Sequence, residues 1–307
     1  MKNQSGLFIL LALIVFSSFV LKSTTSKTES NLPDPPNCIK INDSFYADKS
    51  KINNLNWLEY IYWTERVFGK NSDEYIAVLP DTTVWLNISE CTHILAVEYL
   101  RSPKYREYPV VGISQQQAIA FARWRTDRVL ESRLIKNKII NHSTEQNREN
   151  YFSAERYFSG ELEYVKTVDK NMPYAVYSLP TNEERTAMLE YYDAINKKCM
   201  ENCKAKDSAN CKENCPPIHC NVSACNDDGE FQLPVKTVNA DCVPKKVKIL
   251  YQLKGNVREW SAESNIAYGG SWIDERATIL ENDFFDTNEA NAYTGFRNTC
   301  QYKKWGE

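Results

Sequence analysis

Residues 253–260 read Leu-Lys-Gly-Asn-Val-Arg-Glu-Trp, residues 269–272 read Gly-Gly-Ser-Trp, and residues 295–297 read Gly-Phe-Arg. Trp260 and Trp272 are large apolar surfaces set beside glycine turns, which marks them as core anchors. Gly269 and Gly270 permit backbone conformations closed to other residues. Arg297, following an aromatic residue, calls for a buried acid or carbonyl partner. The chain from Val247 onward therefore reads as turn-rich with short aromatic strands.

Upstream, the periodicity changes to helical. Trp57, Tyr60, Ile61, Val67 and Phe68 recur at helix spacing from Asn56 and stop at Gly69. Ser114-x-x-Gln117 and Thr181-x-x-Glu184 each have capping-box spacing and open two further helices. Asn42 to Asp48 reads as a short strand and turn. Residues 136–176 are polar and aromatic without a clear period, an excursion from the main pattern. These elements predict one α+β domain over residues 31–307, with no repeat and no linker.

The chain has 307 residues, 42% of them hydrophobic, enough for a substantial core. Its net charge of −3 and lack of a long basic block give no electrostatic footprint for nucleic acid. Lys2, the apolar run Leu7 to Leu21 and the Ser/Thr-rich stretch to Ser30 have the order of a secretory signal. Residues 1–30 are thus expected to be a signal peptide or an uncleaved N-terminal anchor, the only expected membrane attachment. The mature chain is expected to be exported: periplasmic, outer-membrane associated or extracellular.

Ten cysteines suit an oxidising compartment, and seven fall between 199 and 242. Cys199, Cys203, Cys211 and Cys215 form two CxxxC pairs. On two helices folded back around Asp207 to Asn210 they would place Cys199 opposite Cys215 and Cys203 opposite Cys211. The expectation is a disulfide-closed helical hairpin inserted at about residues 197–243, with a four-thiolate zinc site as the rival. Cys220 with Cys225, and a long-range bond among Cys38, Cys91, Cys242 and Cys300, are further pairings left open.

Taken in order, the local motifs become specific. Tyr108-Pro-Val-Val-Gly-Ile-Ser114 leads into Ala118-x-x-Phe121-x-x-Trp124-Arg125-Thr126, then Leu179-Pro180-Thr181-x-x-Glu184, then the three stretches quoted first. This series resembles the formylglycine-generating enzyme (sulfatase-modifying factor) family over about residues 40–300. The resemblance implies an irregular C-type-lectin-like fold with few regular strands. Leu79 to Trp85, Tyr105 to Val111 and Trp124 to Arg128 look most like the gliding-motility lipoproteins of Bacteroidetes associated with type IX secretion. The missing lipobox and the Cys-rich insertion depart from that branch.

The resemblance also implies chemistry to look for. Family oxidases hold copper on two cysteines after Gly-Gly-Ser, and soft thiolates suit Cu(I). The first of those positions falls on Asp274 and the second near Ile279, and no cysteine lies between Cys242 and Cys300. No copper is expected. Another branch uses iron on a histidine cluster, but His93, His142 and His219 are far apart in sequence, so no iron is expected either. A family calcium site around the Gly-Asn-x-x-Glu-Trp turn carries over to the Gln252 side chain, the Gly255 and Val257 carbonyls and the Glu259 carboxylate.

The function read from these residues is a non-catalytic exported binding or scaffold protein of the cell envelope. The branch resemblance links it to gliding motility or type IX secretion, and its expected partners are envelope or secretion-system proteins and not nucleic acid. Two alternatives stand beside it: an enzyme of altered chemistry using Asp274 and Glu275, and a calcium-dependent lectin-like module.

Overall fold

The computed structural model describes residues 32–204, 234, 236–237, 248–274 and 284–307. The chain divides into two units, Met1–Pro33 and Asp34–Glu307, and the architecture below is that of the second. Among the described residues no helix is long and apolar enough to cross a membrane.

Two short strands, β1 (Cys38–Lys40) and β2 (Tyr46–Asp48), open the domain as an antiparallel pair. Asn42 makes the turn between them, its side-chain oxygen accepting the Ser44 and Phe45 N–H groups. Helix α1 (Asn54–Phe68) starts where Asn53 caps it and stops at Gly69, whose φ of 95° ends the helical path. Short helices α2 (Asp73–Ala77) and α3 (Leu95–Glu98) follow, with 3₁₀ turns between and after them.

Helix α4 (Gln115–Lys136) begins in the expected capping box: Ser114 Oγ accepts the Gln117 N–H, and the Gln117 side chain accepts the Ser114 N–H. Helix α6 (Asn182–Lys204) begins in the second, with Thr181 and Glu184 bonded reciprocally. Between them lie α5 (Ala154–Ser159) and β3 (Tyr174–Ser178). The excursion is therefore not without structure. Ser153 caps α5, Gly160 closes it in the left-handed region, and Phe152, Tyr157 and Phe158 pack with Leu130 and Leu134 of α4 in a small core of their own.

The last strands are β4 (Arg258–Trp260), β5 (Ile266–Tyr268), β6 (Phe284–Asp286), β7 (Thr294–Gly295) and β8 (Thr299–Lys303). They complete two four-stranded sheets, ordered β1-β2-β8-β3 and β6-β5-β4-β7. In the first, β8 lies between β2 and β3, so the end of the chain pairs with its beginning; Tyr46 stands opposite Cys300. In the second, β4 pairs antiparallel with β5 and parallel with β7.

The main core joins the helices to the second sheet. Trp57 stacks on Phe121 at 5.4 Å and meets Phe296 edge-on at 5.9 Å, and Trp260 is sealed in the same cluster. A second cluster holds Trp85 against Trp272 at 6.1 Å. Each such ring removes enough apolar surface from water to contribute roughly 1.5–3 kcal/mol. Helix α4 is tied to β2 by Arg125, which forms a two-pronged ion pair with the buried Asp48 at 2.5 and 2.8 Å and stacks on Tyr177.

Cys38, Cys91 and Cys300 are free thiols. Cys38 and Cys300 lie on strands separated by β2 and in different register rows, beyond the reach of a disulfide. A bond between those two, one form of the long-range pairing left open above, is therefore excluded. The backbone of α6 runs on through Cys199 and Cys203, but the hairpin and its bridges Cys199–Cys215 and Cys203–Cys211 lie outside the described residues.

Candidate functional site

The turn at 252–257 is built from left-handed residues, with positive φ at Gln252, Gly255 and Asn256. The Gly255 N–H donates to the Gly269 carbonyl at 2.6 Å, and the Trp272 N–H donates to the Asn256 carbonyl at 2.8 Å. The two glycine turns thus brace each other. Gly269 has φ of 89°, and a Cβ there would lie 2.6 Å from the Leu253 carbonyl oxygen, so the close approach requires glycine.

Strand β4 leaves this turn and aims Glu259 into the protein. Three cations converge on its carboxylate: Lys51 Nζ at 2.5 Å, Arg297 at 3.0 and 3.1 Å, and Arg185 at 3.5 Å. The side chains of Lys51, Arg297 and Glu259 have no exposure at all. Arg297 also donates to the Asp48 and Tyr251 carbonyls, and Arg185 to the Leu253 carbonyl. Arg297 therefore finds both kinds of partner foreseen for it, the acid and the carbonyl.

Burial alone would raise the Glu259 pKa, but the charges of Arg297, Lys51 and Arg185 overcome it and hold the group down at about 2. Burial acts in the opposite sense on Lys51, bringing its ammonium down to about 8 against the attraction of Glu259. The sequence concealed this cluster. Lys51 follows Lys49 in one polar stretch and Arg185 stands in another, and nothing in their spacing marks them as buried.

The structure places Gln252, Gly255 and Val257 on this turn and Glu259 on the strand that leaves it, yet they do not fit a calcium ion. The only carboxylate of the set already faces three cations. The Gln252 side-chain oxygen accepts from Asn256 Nδ2 at 2.5 Å, and its amide nitrogen donates to the Lys236 carbonyl. A divalent cation here would meet three positive neighbours around one negative group.

Asp274 lies close by, on the Gly-Gly-Ser-Trp turn. Its Oδ2 accepts from Ser271 N at 2.8 Å, Ser271 Oγ at 2.7 Å and Arg258 Nε at 3.0 Å, while Oδ1 accepts from Arg258 Nη2. Arg258 is in turn sandwiched between the Phe285 ring at 4.2 Å and the Tyr293 ring at 4.9 Å. Asp274 is a hydrogen-bond acceptor held by fixed donors, three on Oδ2 and one on Oδ1.

Among the described residues the other reactive groups do not assemble around it. Burial pushes the Cys38 and Cys300 thiols well up, as suits inert structural cysteines, and Cys91 is exposed. A His93 ring nitrogen contacts the Leu86 carbonyl, while His219 and Glu275 lie outside the described residues. Among the described residues no group of three or more His, Cys, Asp or Glu is placed to hold a metal ion. A separate open groove of about 580 Å³ on the excursion is lined by Glu149, Arg156, Glu161 and Tyr164 among others.

Comparison with known proteins bears on the same turns. No curated protein matches the chain. Among solved structures it is similar to the crystal structure of CarF, with 15% identity, 84% of this chain and 86% of that chain covered, and a TM-score of 0.40. The family model described as "Sulfatase-modifying factor enzyme 1-like domain" matches residues 17–301, which include both glycine turns, Glu259, Asp274 and Arg297. The chain belongs to the family of sulfatase-modifying factor enzyme 1-like domains.

Proposed function

We propose that this family member is a non-catalytic binding or scaffold protein, exported to the cell envelope and working there without copper or iron. The observation that carries the reading is the state of Asp274. It occupies the place that the family resemblance gives to the first copper thiolate, and it is held by Ser271 and Arg258 as part of the fold. A carboxylate so held is a hard oxygen donor without the softness to bind Cu(I).

The reading is supported further by what surrounds the site. The Arg258 stack fills the space beside Asp274 with a cation and two aromatic rings. Its partners are proposed to be envelope or secretion proteins, with gliding or type IX secretion as the setting that the branch resemblance suggests. The N-terminal apolar run is proposed to direct export, by cleavage or as an anchor.

The test is direct. The purified chain is supplied with Cu(I), oxygen and a cysteine peptide of the kind that formylglycine-generating enzymes take, and the peptide is followed by mass spectrometry. Unchanged peptide, together with a specific envelope protein recovered on the chain from its own host, is the expected result. Conversion of cysteine to the aldehyde overturns the reading.

A further inference from the structure

We propose that a single hydrogen-bond acceptor, a halide ion or a water oxygen, is bound between α1 and α4 by Trp63, Trp124 and Arg128. Trp63 stands on α1, while Trp124 and Arg128 stand about one turn apart on α4 and so share a side of it. The two indole rings lie 6.3 Å apart, and the Arg128 guanidinium sits over the Trp63 ring at 4.5 Å. The three side chains thus form one contact group.

Their N–H groups point to the guest. Trp63 Nε1, Trp124 Nε1 and Arg128 Nε are each sealed from solvent, and none has a hydrogen-bond partner among the described residues. The side chains themselves are only partly buried, and Arg128 keeps 17% of its side-chain surface exposed. A partly exposed side chain whose nitrogen is sealed turns that nitrogen inward, toward the shared contact. Burying an N–H without an acceptor forfeits its hydrogen bond to water, and folded proteins meet such groups with an ordered water or an ion.

The donors also fix the chemistry of what they hold. Indole and guanidinium groups donate and do not accept, so the guest is an acceptor. The rings packed on them supply none: Tyr60 meets Trp124 at 4.9 Å, and Phe68 and Tyr151 meet Trp63 at 5.9 and 6.1 Å. The rest of the Arg128 fork is occupied, Nη1 by Glu131 at 2.5 Å and Nη2 by the Phe152 carbonyl, which leaves Nε for the guest. Glu131 and Asp127 bring negative charge to Arg128 and Arg66 brings positive, so hydrogen bonding rather than net charge selects what binds. Sealed nitrogens limit it to about one heavy atom.

The experiment labels the tryptophans of the full chain with ¹⁵N and follows their seven indole N–H signals by NMR. Trp63→Phe and Trp124→Phe each keep a ring and remove one donor, which assigns the two signals. On the natural chain both protons are expected downfield, with either magnetisation transfer from a long-lived water or a saturable shift on adding sodium bromide that sodium gluconate does not produce. The first response identifies a water oxygen and the second a halide. Trp124→Phe is expected to weaken the response at Trp63 while the indoles of Trp85 and Trp272 stay in place, which separates loss of the guest from unfolding. Absence of both responses on the natural chain, or indole protons shifted upfield as over a ring face, overturns the proposal.

Discussion

Lys51 and Glu259 stand 208 positions apart in sequence and meet at 2.5 Å with neither side chain exposed to water. Their contact joins the segment after β2 to strand β4, and Arg297 and Arg185 close the same carboxylate from other directions. Four segments distant in sequence are thus pinned at one point. The pin secures the turn from which β4 departs and against which the Gly-Gly-Ser-Trp turn is braced.

Removing the anion is expected to be severe. Glu259→Gln removes the buried anion that Lys51, Arg297 and Arg185 share, and a loss of about 3–5 kcal/mol is expected in urea unfolding. Lys51→Met should cost distinctly less, because Glu259 keeps two arginine partners. A Lys51→Met loss equal to or greater than that of Glu259→Gln would contradict this hierarchy.

The cluster also sets a pH dependence. Glu259 titrates at about 2 in the fold and near its ordinary 4.5 when unfolded, so its contribution is fully present above 4.5 and is lost as pH falls toward 2. Lys51 works in the other window. Its folded value of about 8 lies below its ordinary 10.5, so the unfolded chain holds the proton more tightly, and stability from this group rises with pH between about 8 and 10.5. The stability difference between the natural chain and Lys51→Met should therefore shift in favour of the natural chain from pH 8 to pH 10. A flat difference would count against a buried, destabilised ammonium.

Asp127 on α4 supplies a second titration. Burial raises its pKa to about 6, partly opposed by its acceptance of the Ala154 N–H at 2.8 Å. A raised carboxyl binds its proton more tightly when folded, so stability from this group is greatest in acid and falls as pH rises from about 4 to 6. Asp127→Asn keeps an acceptor for Ala154 without the charge. It is expected to stabilise the fold by about 1–2 kcal/mol at pH 8 and to have almost no effect at pH 4. Destabilisation at both pH values would show that the charge is needed.

Restoring a single thiol should not restore chemistry. Asp274→Cys is expected to lose about 1–3 kcal/mol of stability, because Arg258 and Ser271 lose their acceptor. It is expected to leave a cysteine peptide unoxidised in the presence of Cu(I), since no second cysteine stands between Cys242 and Cys300. Turnover by this variant would mean that the site tolerates copper on other ligands.

Much of this arrangement was legible in the sequence where local rules govern. Asn56 to Gly69 and the two capping boxes mark helices because periodicity and caps are short-range: α1, α4 and α6 start within a few residues of those signals, and α1 stops at Gly69. Trp260 and Trp272 are buried as their glycine turns imply. What the sequence hid is long-range. Ser153 and Gly160 bracket α5 as clearly as any cap, but the helix is too short for its periodicity to stand out. Lys51, Arg185 and the Arg258–Asp274 pair become meaningful only when the sheets bring distant segments together. The carboxylate read as a calcium ligand is taken by cations that no local pattern reveals.

Elemental analysis of the purified chain for copper, iron, zinc and calcium tests the non-catalytic assignment most directly. Copper and iron far below stoichiometric amounts are the predicted result. Stoichiometric copper or iron, surviving dialysis against a chelator, would contradict it.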